Sequence, residues 1–442
     1  MRIHALAAVL LACVAGIGVA TGQTQAPPPS PPAPAPLDAD ALRKKIDAYL
    51  QPLVADGHVS GTLLLARGSE ILYERSFGMA NYELGVPNTP DTRFCIASIT
   101  KPITVMLVAQ LAEEKKLAVS DPLEKWIPGF PEGDKITIDH LLNHRAGIPH
   151  RVTTPAEEAV PRTAAGMVEL ARQQKLLFPP GSQSVYSSAG YSVLARIVEL
   201  ASGTTYEQAV AERIVKRAGL RDTFHVTSRA VLPRRASSYL AGPDGPRNAP
   251  LVDVSFLVGA GSLYSTPADL FRLLLAVRDG KLGEAARLSV TARPRVAMNG
   301  STNGFRAFLD SDPATDLTVI FAGNMATGAL DRIRADLPRL TAGESVETPQ
   351  RLSVQPVRLD PAVLARYAGS YLLGGSTPFT VEVAGNTLET TGRVLVPISE
   401  TSFFSPADYG TVNIVLKPDG SVERLDWVLA DRVIACPRVA PE

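Results

Sequence analysis

A serine and a lysine three residues apart carry the clearest chemistry in this 442-residue sequence. Ser98 and Lys101 lie in the stretch Phe94–Pro102, and the apolar residues that follow predict a helix beginning near Ser98. At positions i and i+3 the hydroxyl and the amine lie on one face of such a helix. A desolvated lysine can be neutral and can take the serine proton, so the pair can form a nucleophile without histidine. The helix N-terminus also presents backbone N–H groups that suit an oxyanion.

An isolated Ser-x-x-Lys match is a weak signal, because a solvated pair in the first turn of a helix has the same spacing. Here the pair belongs to an ordered series of segments: Thr89–Phe94, Leu117–Leu123, Ile136–His144, Ala146–Pro149, Phe178–Gly181, Gly259–Asp269 and Asn303–Phe305. This series resembles the serine β-lactamase and penicillin-binding-protein superfamily, and most of all its class C branch with the related esterases and D-amino-acid peptidases. The resemblance covers about residues 60–345 and implies a serine hydrolase that works through an acyl-enzyme.

The second motif of this family, Tyr-x-Asn, falls on residues 186–188. The resemblance implies that Tyr186 shares proton transfer with Lys101, and a phenol near an ammonium is expected to have a lowered pKa. Ser188 stands where the family usually has asparagine, and a serine side chain is shorter and lacks the two N–H donors of the amide. This departure leaves substrate-amide recognition and the positioning of the lysine open.

The third motif, Lys-Thr-Gly or His-Thr-Gly, falls on Met298, Asn299 and Gly300 in a predicted edge strand. Methionine cannot supply the cation that in the family helps to hold a substrate carboxylate. Gly300 is kept, and a glycine lets backbone approach a ligand closely. The resemblance gives Ser301 a backbone role, because its N–H would form the oxyanion hole together with that of Ser98.

These motifs together predict three groups of site residues. The catalytic residues are Ser98, Lys101 and Tyr186, the oxyanion hole is formed by Ser98 and Ser301, and the substrate-binding residues are Ser188, Met298, Asn299 and Gly300.

No metal ion and no cofactor is expected. His144 and His150 flank the turn Ala146–Pro149, but no third or fourth ligand lies at a spacing suited to zinc. We expect both histidines to be structural and hydrogen-bonded. The sequence also contains no Walker loop, dinucleotide fingerprint or Cys/His cluster.

The pattern of apolar residues predicts a mixed fold. Helical spacing marks the middle of the chain, a hairpin is predicted around the turn 67–69, and beyond about residue 355 the chain has the texture of short strands. With the resemblance, this implies an α/β (α+β) fold in which an antiparallel sheet is flanked by helices and carries a helical subdomain. We predict this hydrolase domain over 38–345 and a small β-barrel-like antiparallel domain over 355–442.

The N-terminal residues predict export. Residues 1–22 combine one arginine, an apolar stretch and small residues, as in a secretory signal peptide, and residues 23–37 form a proline-rich tether. Cys13 lies very early and fits a lipidation box poorly, so we do not expect a lipoprotein. We therefore expect a periplasmic or secreted protein with no membrane span after cleavage of the signal peptide.

Composition excludes some classes of partner. Lys and Arg number 44 and Asp and Glu number 44, which leaves no basic excess to neutralise the phosphates of a nucleic acid. Cys95 and Cys436 lie far apart in the chain, and we expect both to be free and buried.

Three functional hypotheses follow. The first is an exported serine hydrolase acting on a small ester, amide or peptide substrate, because a substrate carboxylate would lack its cation. The second is a β-lactamase or D,D-carboxypeptidase proper, since family membership alone does not set the substrate. The third is an impaired member that binds a cell-envelope ligand, which the two altered motifs would permit.

Overall fold

The structure is a computed structural model that describes residues 39–227, 229–242, 245–348, 355–374, 377–390, 393–429 and 432–439. The predicted signal peptide (1–22) and tether (23–37) lie outside these residues.

The helices follow the predicted apolar spacing, and several begin at a threonine or serine whose side chain accepts a backbone N–H of the first turn, as Thr205 does for Gln208. Their bounds are α1 (Ala39–Ala55), α2 (Thr100–Glu113), α3 (Leu123–Trp126), α4 (Ile138–Leu142), α5 (Pro155–Glu158), α6 (Ala164–Arg172), α7 (Ser188–Ser202), α8 (Tyr206–Val210), α9 (Lys216–Ala218), α10 (Pro267–Arg278), α11 (Glu284–Thr291), α12 (Ala329–Thr341) and α13 (Pro361–Tyr367). A π-helical turn, Ala211–Val215, joins α8 to α9, and two short 3-10 turns span Ala97–Ile99 and Val254–Leu257.

The strands are more numerous after the helical middle of the chain. Their bounds are β1 (Gly61–Arg67), β2 (Glu70–Phe77), β3 (Met79–Asn81), β4 (Val86–Pro87), β5 (Phe94–Cys95), β6 (Phe224–His225), β7 (Tyr239–Gly242), β8 (Gly245–Asn248), β9 (Leu263–Ser265), β10 (Val296–Thr302), β11 (Phe305–Asp312), β12 (Leu317–Gly323), β13 (Met325–Ala326), β14 (Gly369–Leu373), β15 (Thr377–Ala384), β16 (Thr387–Thr390), β17 (Arg393–Pro397), β18 (Ser402–Ser405), β19 (Gly410–Leu416), β20 (Val422–Val428) and β21 (Val433–Pro437).

The described residues divide into two compact units. The first contains Gly61–Ser237 and Pro250–Asn324; the second contains 39–60, Ser238–Ala249 and the described residues from Met325 onward. Helices α1 and α12 therefore belong to the second unit, where the Tyr49 hydroxyl donates to Asp336 at 2.8 Å. The domain limits predicted from the sequence stay a prediction.

The first unit is built on a five-stranded antiparallel sheet in the order β10-β11-β12-β1-β2. Strand β1 is apolar along almost its whole length and is buried in the middle of the sheet. The predicted hairpin is present, since β1 and β2 pair through Arg67 and Glu70 across a two-residue turn. Strand β10 lies at the other end of the sheet order, and within the described part of the chain no strand pairs with its outer side. This edge is the one that approaches the predicted nucleophile.

Helices pack against the sheet of the first unit and form an extended apolar cluster with it. Helix α2 is buried on most of its surface and packs against α7. The burial of aliphatic side chains from both helices and from the sheet is the main term that holds this arrangement together.

The second unit contains an eight-stranded antiparallel sheet in which each strand from β14 to β21 pairs with the next. Its first and last strands also meet, because Tyr371 and Arg438 form a bridge and the Val439 N–H donates to the Ser370 carbonyl at 2.8 Å. The sheet thus closes on itself around an aromatic core that includes Phe403. The predicted fold class, with a C-terminal antiparallel β part, is confirmed.

Two further sequence expectations concern single features. Cys95 and Cys436 are free and buried, as predicted. Among the residues that the structure describes, no helix combines the length and the apolar character needed to cross a membrane.

Candidate active site

Ser98 lies in the 3-10 turn that leads into α2, and the backbone before it is held from several sides. The Ile96 N–H donates to the Leu263 carbonyl at 2.9 Å, and the Leu263 N–H donates to the Thr100 hydroxyl at 3.3 Å. Ala97 has a φ of 45°, in the left-handed region that non-glycine residues rarely adopt. Such a conformation persists only where the surrounding structure fixes it. The turn therefore presents Ser98 in a defined position.

Lys101 is one turn further along α2, and its side chain is buried, with 5% of its surface exposed. Its Nζ lies 3.3 Å from Ser98 Oγ, 3.2 Å from Ser188 Oγ and 3.0 Å from the Ala260 carbonyl oxygen. Burial lowers the pKa of this ammonium to about 7. A neutral amine has two N–H donors and one lone pair. If the N–H groups go to Ala260 and Ser188, the lone pair faces the Ser98 hydroxyl.

The Tyr186 hydroxyl contacts Ser98 Oγ from the solvent-exposed side of the site. The two oxygen atoms lie 2.7 Å apart, and 42% of the tyrosine is exposed. The predicted lowering of its pKa is wrong: burial raises the pKa of the phenol, although hydrogen bonds from Ser98 and Ser188 oppose the shift. The geometry explains the difference, because Lys101 Nζ lies over the face of the ring, 4.7 Å from its centroid, and makes no hydrogen bond to the hydroxyl. The Tyr186 phenol is therefore protonated at neutral pH.

Ser188 is the first residue of α7, directly after the N-cap Ser187. The cap side chain accepts the Gly190 N–H at 2.9 Å, and this bond sets where the helix begins. Ser188 is buried, and its short side chain still reaches Lys101. Because serine replaces the usual asparagine of the family motif here, the sequence left the positioning of Lys101 open. In the structure the Ser188 hydroxyl lies at hydrogen-bond distance from the Lys101 amine.

Two residues that the sequence had assigned only a structural role lie against Tyr186. The ring of His144 is 4.7 Å from the Tyr186 ring, and the ring of His150 is 5.3 Å from it. His144 Nδ1 accepts the Ser187 N–H at 3.1 Å, and His150 Nδ1 accepts the Ser188 N–H at 3.3 Å. The expectation of hydrogen-bonded histidines is confirmed. Their contact with Tyr186 was not predicted. The sequence of the loop that carries them does not indicate that this loop packs against the start of α7.

Strand β10 brings the third motif beside Ser98, the predicted nucleophile. A methyl group placed on Gly300 would overlap the carbonyl oxygen of Ile96 and lie 3.2 Å from the Ser98 nitrogen. Only glycine therefore allows this close approach of the two backbones. Ser301 follows in the same strand, and its side chain is exposed. Because Gly300 lies against the backbone of Ile96 and Ser98, the Ser301 backbone also lies near the turn that carries Ser98.

The side chains of β10 alternate between two environments. Met298 is partly buried and lines an apolar pocket with Pro102 and Val105 on the first turns of α2. Asn299 is exposed on the opposite face. The nearby Arg295 is directed to Asp310, with its guanidinium 3.6 Å from the carboxylate. At the position where the family resemblance implies a cation, Met298 instead makes an apolar contact with helix α2.

Among the residues that the structure describes, no three His, Cys, Asp or Glu side chains lie close enough together to hold a metal ion.

Comparison with known proteins agrees with this geometry. Residues 46–336 match the family described as Beta-lactamase. The chain is 28% identical over 440 residues to a penicillin-binding protein of Bacillus subtilis (strain 168), and the match covers 86% of this chain and 95% of that protein. It is 26% identical over 251 residues to the teichoic acid D-alanine hydrolase of Staphylococcus aureus, which covers 55% of this chain and 59% of that protein.

A solved structure shares the fold. The D-amino acid amidase of Ochrobactrum anthropi SV3 matches with a TM-score of 0.60 and 22% identity, over 68% of this chain and 97% of that one. Because the family match spans most of the chain, including both residues of the Ser-x-x-Lys pair, the protein belongs to the Beta-lactamase family.

Proposed function

We propose that this protein hydrolyses ester or uncharged amide bonds through an acyl-enzyme on Ser98. The observation that carries the proposal is the pair of contacts to Ser98 Oγ, at 3.3 Å from the Lys101 amine and 2.7 Å from the Tyr186 hydroxyl. Burial lowers the pKa of Lys101 to about 7, so a substantial fraction of this amine is free to accept a proton at neutral pH.

Acylation begins when Ser98 Oγ attacks the substrate carbonyl carbon and its proton passes to Lys101 Nζ. The backbone N–H groups of Ser98 and Ser301 stabilise the negative oxygen that forms. Loss of one donor of this kind lowers kcat by about 10²- to 10³-fold in serine hydrolases. The close approach of β10 at Gly300 is the feature that supports this pair of donors.

The leaving group departs with a proton from the Tyr186 hydroxyl. Ser188 lies beside the lysine: its hydroxyl is 3.2 Å from Lys101 Nζ, and it lowers the pKa of the Tyr186 phenol against the larger effect of burial. In deacylation a water molecule attacks the acyl carbon and gives a proton to the Tyr186 phenolate. The Lys101 ammonium returns a proton to Ser98 Oγ as the acyl–oxygen bond breaks, which restores all three groups.

The substrate class follows from the third motif. Met298 lies against Pro102 and Val105, so the family position for a cation is apolar. A substrate carboxylate would lose a charged hydrogen bond worth about 1.5–3 kcal/mol. Relatives named as a D-amino acid amidase and a teichoic acid D-alanine hydrolase support an ester or amide substrate.

We also propose export, with residues 1–22 as the signal peptide and 23–37 as a tether, and a hydrolase domain over 38–345 followed by a β domain over 355–442. The substrate would then be met in the periplasm or outside the cell.

The test is covalent labelling of the purified protein. A serine-directed phosphonate and a labelled penicillin are incubated separately with the wild type and with Ser98→Ala, and adducts are mapped by mass spectrometry. We expect the phosphonate on Ser98 and no stable penicillin adduct. Absence of the phosphonate adduct would favour a binding protein and refute the hydrolase. A penicillin adduct on Ser98 would refute the ester preference and favour a β-lactamase or D,D-carboxypeptidase.

A further inference from the structure

Two imidazole rings bracket the Tyr186 side chain. The rings of His144 and His150 both lie at 43° to the tyrosine ring, at centroid distances of 4.7 and 5.3 Å. His144 is buried, and its ring also lies 5.1 Å from that of Tyr191 in α7. His150 is exposed to solvent. The packing of a protein core therefore explains the first histidine but not the second.

The two rings make matching hydrogen bonds to consecutive backbone groups. His144 Nδ1 accepts the Ser187 N–H, and His150 Nδ1 accepts the Ser188 N–H. A ring nitrogen that accepts is unprotonated, so each neutral imidazole carries its hydrogen on Nε2. These two N–H groups belong to the first residues of a helix and its cap, which have no partner inside the helix. The histidines thus fix both the ring of Tyr186 and the backbone that follows it.

Backbone conformation sets the position of His144. Its φ is 58°, in the left-handed region, and its carbonyl accepts the Val185 N–H at 3.0 Å. A non-glycine residue in this region is strained, and the surrounding contacts must offset that strain. The loop is therefore bound to the segment before Tyr186 by backbone and to the segment after it by the imidazole.

The charges that face the two rings come from the helix of the nucleophile and from the loop itself. Burial is the largest cause of a lowered pKa for each histidine, Lys101 lowers the pKa of both, and Arg151 lowers that of His150. The pKa of His144 falls to about 4. Both rings are therefore neutral at the pH where Lys101 loses its proton, and they act as hydrogen-bond acceptors.

We propose that His144 and His150 are positioning residues that hold the Tyr186 phenol in place as the proton donor to the leaving group. This inference rests on the proposed function, because it concerns the step in which that proton is delivered. It assigns the two histidines to the leaving-group step, while Ser98 activation by Lys101 proceeds without them.

The experiment compares substitutions that keep or remove the acceptor. In His150→Asn the amide oxygen takes the place of Nδ1, whereas His150→Leu has nearly the same shape without an acceptor. At His144 the matched pair is Asn and Gly, because both tolerate the positive φ. Each variant is assayed with two esters of one acyl group, one with a nitrophenol leaving group and one with an aliphatic alcohol. The aliphatic alkoxide is a poor leaving group and must be protonated as it departs, whereas nitrophenolate can leave without a proton.

We expect His150→Leu and His144→Gly to lower kcat on the aliphatic ester by ~10- to 100-fold, and kcat on the nitrophenyl ester by less than about threefold. The asparagine variants should recover most of the loss. An equal fall on both esters, or asparagine variants no better than their partners, would show a merely structural role and overturn the proposal. Thermal unfolding of every variant identifies any that fails to fold.

A second measurement does not need turnover. In NMR spectra of isotope-labelled tyrosine, the ring signal of Tyr186 is assigned with Tyr186→Phe. We expect this signal to shift or broaden in His150→Leu and to return toward the wild type in His150→Asn. An unchanged signal in all variants would overturn the positioning role. If Ser98 takes no phosphonate while the signal responds as expected, the proposed function fails but the contact between the histidines and Tyr186 stands.

Discussion

Replacement of Lys101 by methionine should stabilise the protein at neutral pH while abolishing catalysis. The side chain is buried, and its pKa falls from the ordinary 10.5 to about 7 because burial disfavours the charged form. Lowering a pKa by one corresponds to about 1.4 kcal/mol, so the full difference is about 5 kcal/mol. Methionine has nearly the same shape and no charge, and it removes this penalty.

The sign of the pH dependence follows from proton binding. Between pH 7 and 10.5 the unfolded chain holds a proton on this amine and the folded chain does not. The stability of the wild type therefore rises with pH in this window, and the penalty is fully present below about pH 7. Between pH 7 and 9.5 the wild type should gain about 3 kcal/mol relative to Lys101→Met.

Lost hydrogen bonds reduce the absolute gain but not its pH dependence. Methionine leaves the Ala260 carbonyl without the lysine donor, and an unsatisfied buried polar group destabilises by about 1–3 kcal/mol. The net stabilisation at pH 7 should thus be about 2–4 kcal/mol. Its decrease toward pH 9.5 does not depend on these bonds, so it is the more reliable quantity.

The assay is denaturant unfolding of the wild type, Lys101→Met and the exposed control Lys216→Met at pH 7 and 9.5. The reasoning is refuted if the difference between wild type and Lys101→Met is the same at both pH values. The rate at which the phosphonate labels Ser98 provides a second measurement of the ionisation of Lys101. This rate should rise about tenfold per pH unit below 7 and level off above.

Two predictions concern strand β10. The first uses two esters that differ only in a carboxylate, and the measured quantity is the ratio of kcat/KM for the charged ester to kcat/KM for the neutral one. Met298→Lys should raise this ratio by roughly 10- to 100-fold above that of the wild type. An unchanged ratio would contradict the role given to Met298. Gly300→Ala should lower kcat by roughly 100-fold, because the added methyl overlaps the Ile96 carbonyl and displaces β10 from the Ser98 N–H. The exposed neighbour Ala297→Ser is its control, and full activity of Gly300→Ala would show that β10 supplies no oxyanion donor.

The local part of the site could be predicted from the sequence. Ser98 and Lys101 are three residues apart, and helix geometry alone places both on one face. The helices around them follow the apolar period, and the β1–β2 hairpin has a turn of predictable length. Family landmarks in a fixed order were enough to identify the superfamily, because they mark the same turns and helix starts across the hydrolase domain.

The ionisation of the site could not be predicted in this way. The pKa of Tyr186 was expected to fall beside Lys101, but burial raises it, and the amine contacts the face of the ring. Desolvation depends on every chain segment that surrounds a group, and distance along the sequence does not indicate it. The roles of His144 and His150 were missed for a related reason, since their partners lie in a helix about 40 residues away.

The sequence by itself determined which groups are present: a serine and a lysine on one helix face, a tyrosine in the second motif, and no cation at position 298. Tertiary structure alone decided how they behave. It buries Lys101 so that the amine can be neutral, places Ser188 within hydrogen-bond distance of it, and brackets Tyr186 with two imidazoles. The physical reason is that covalent spacing fixes neighbours only within a turn of helix, whereas solvation and long-range contacts arise when the core closes.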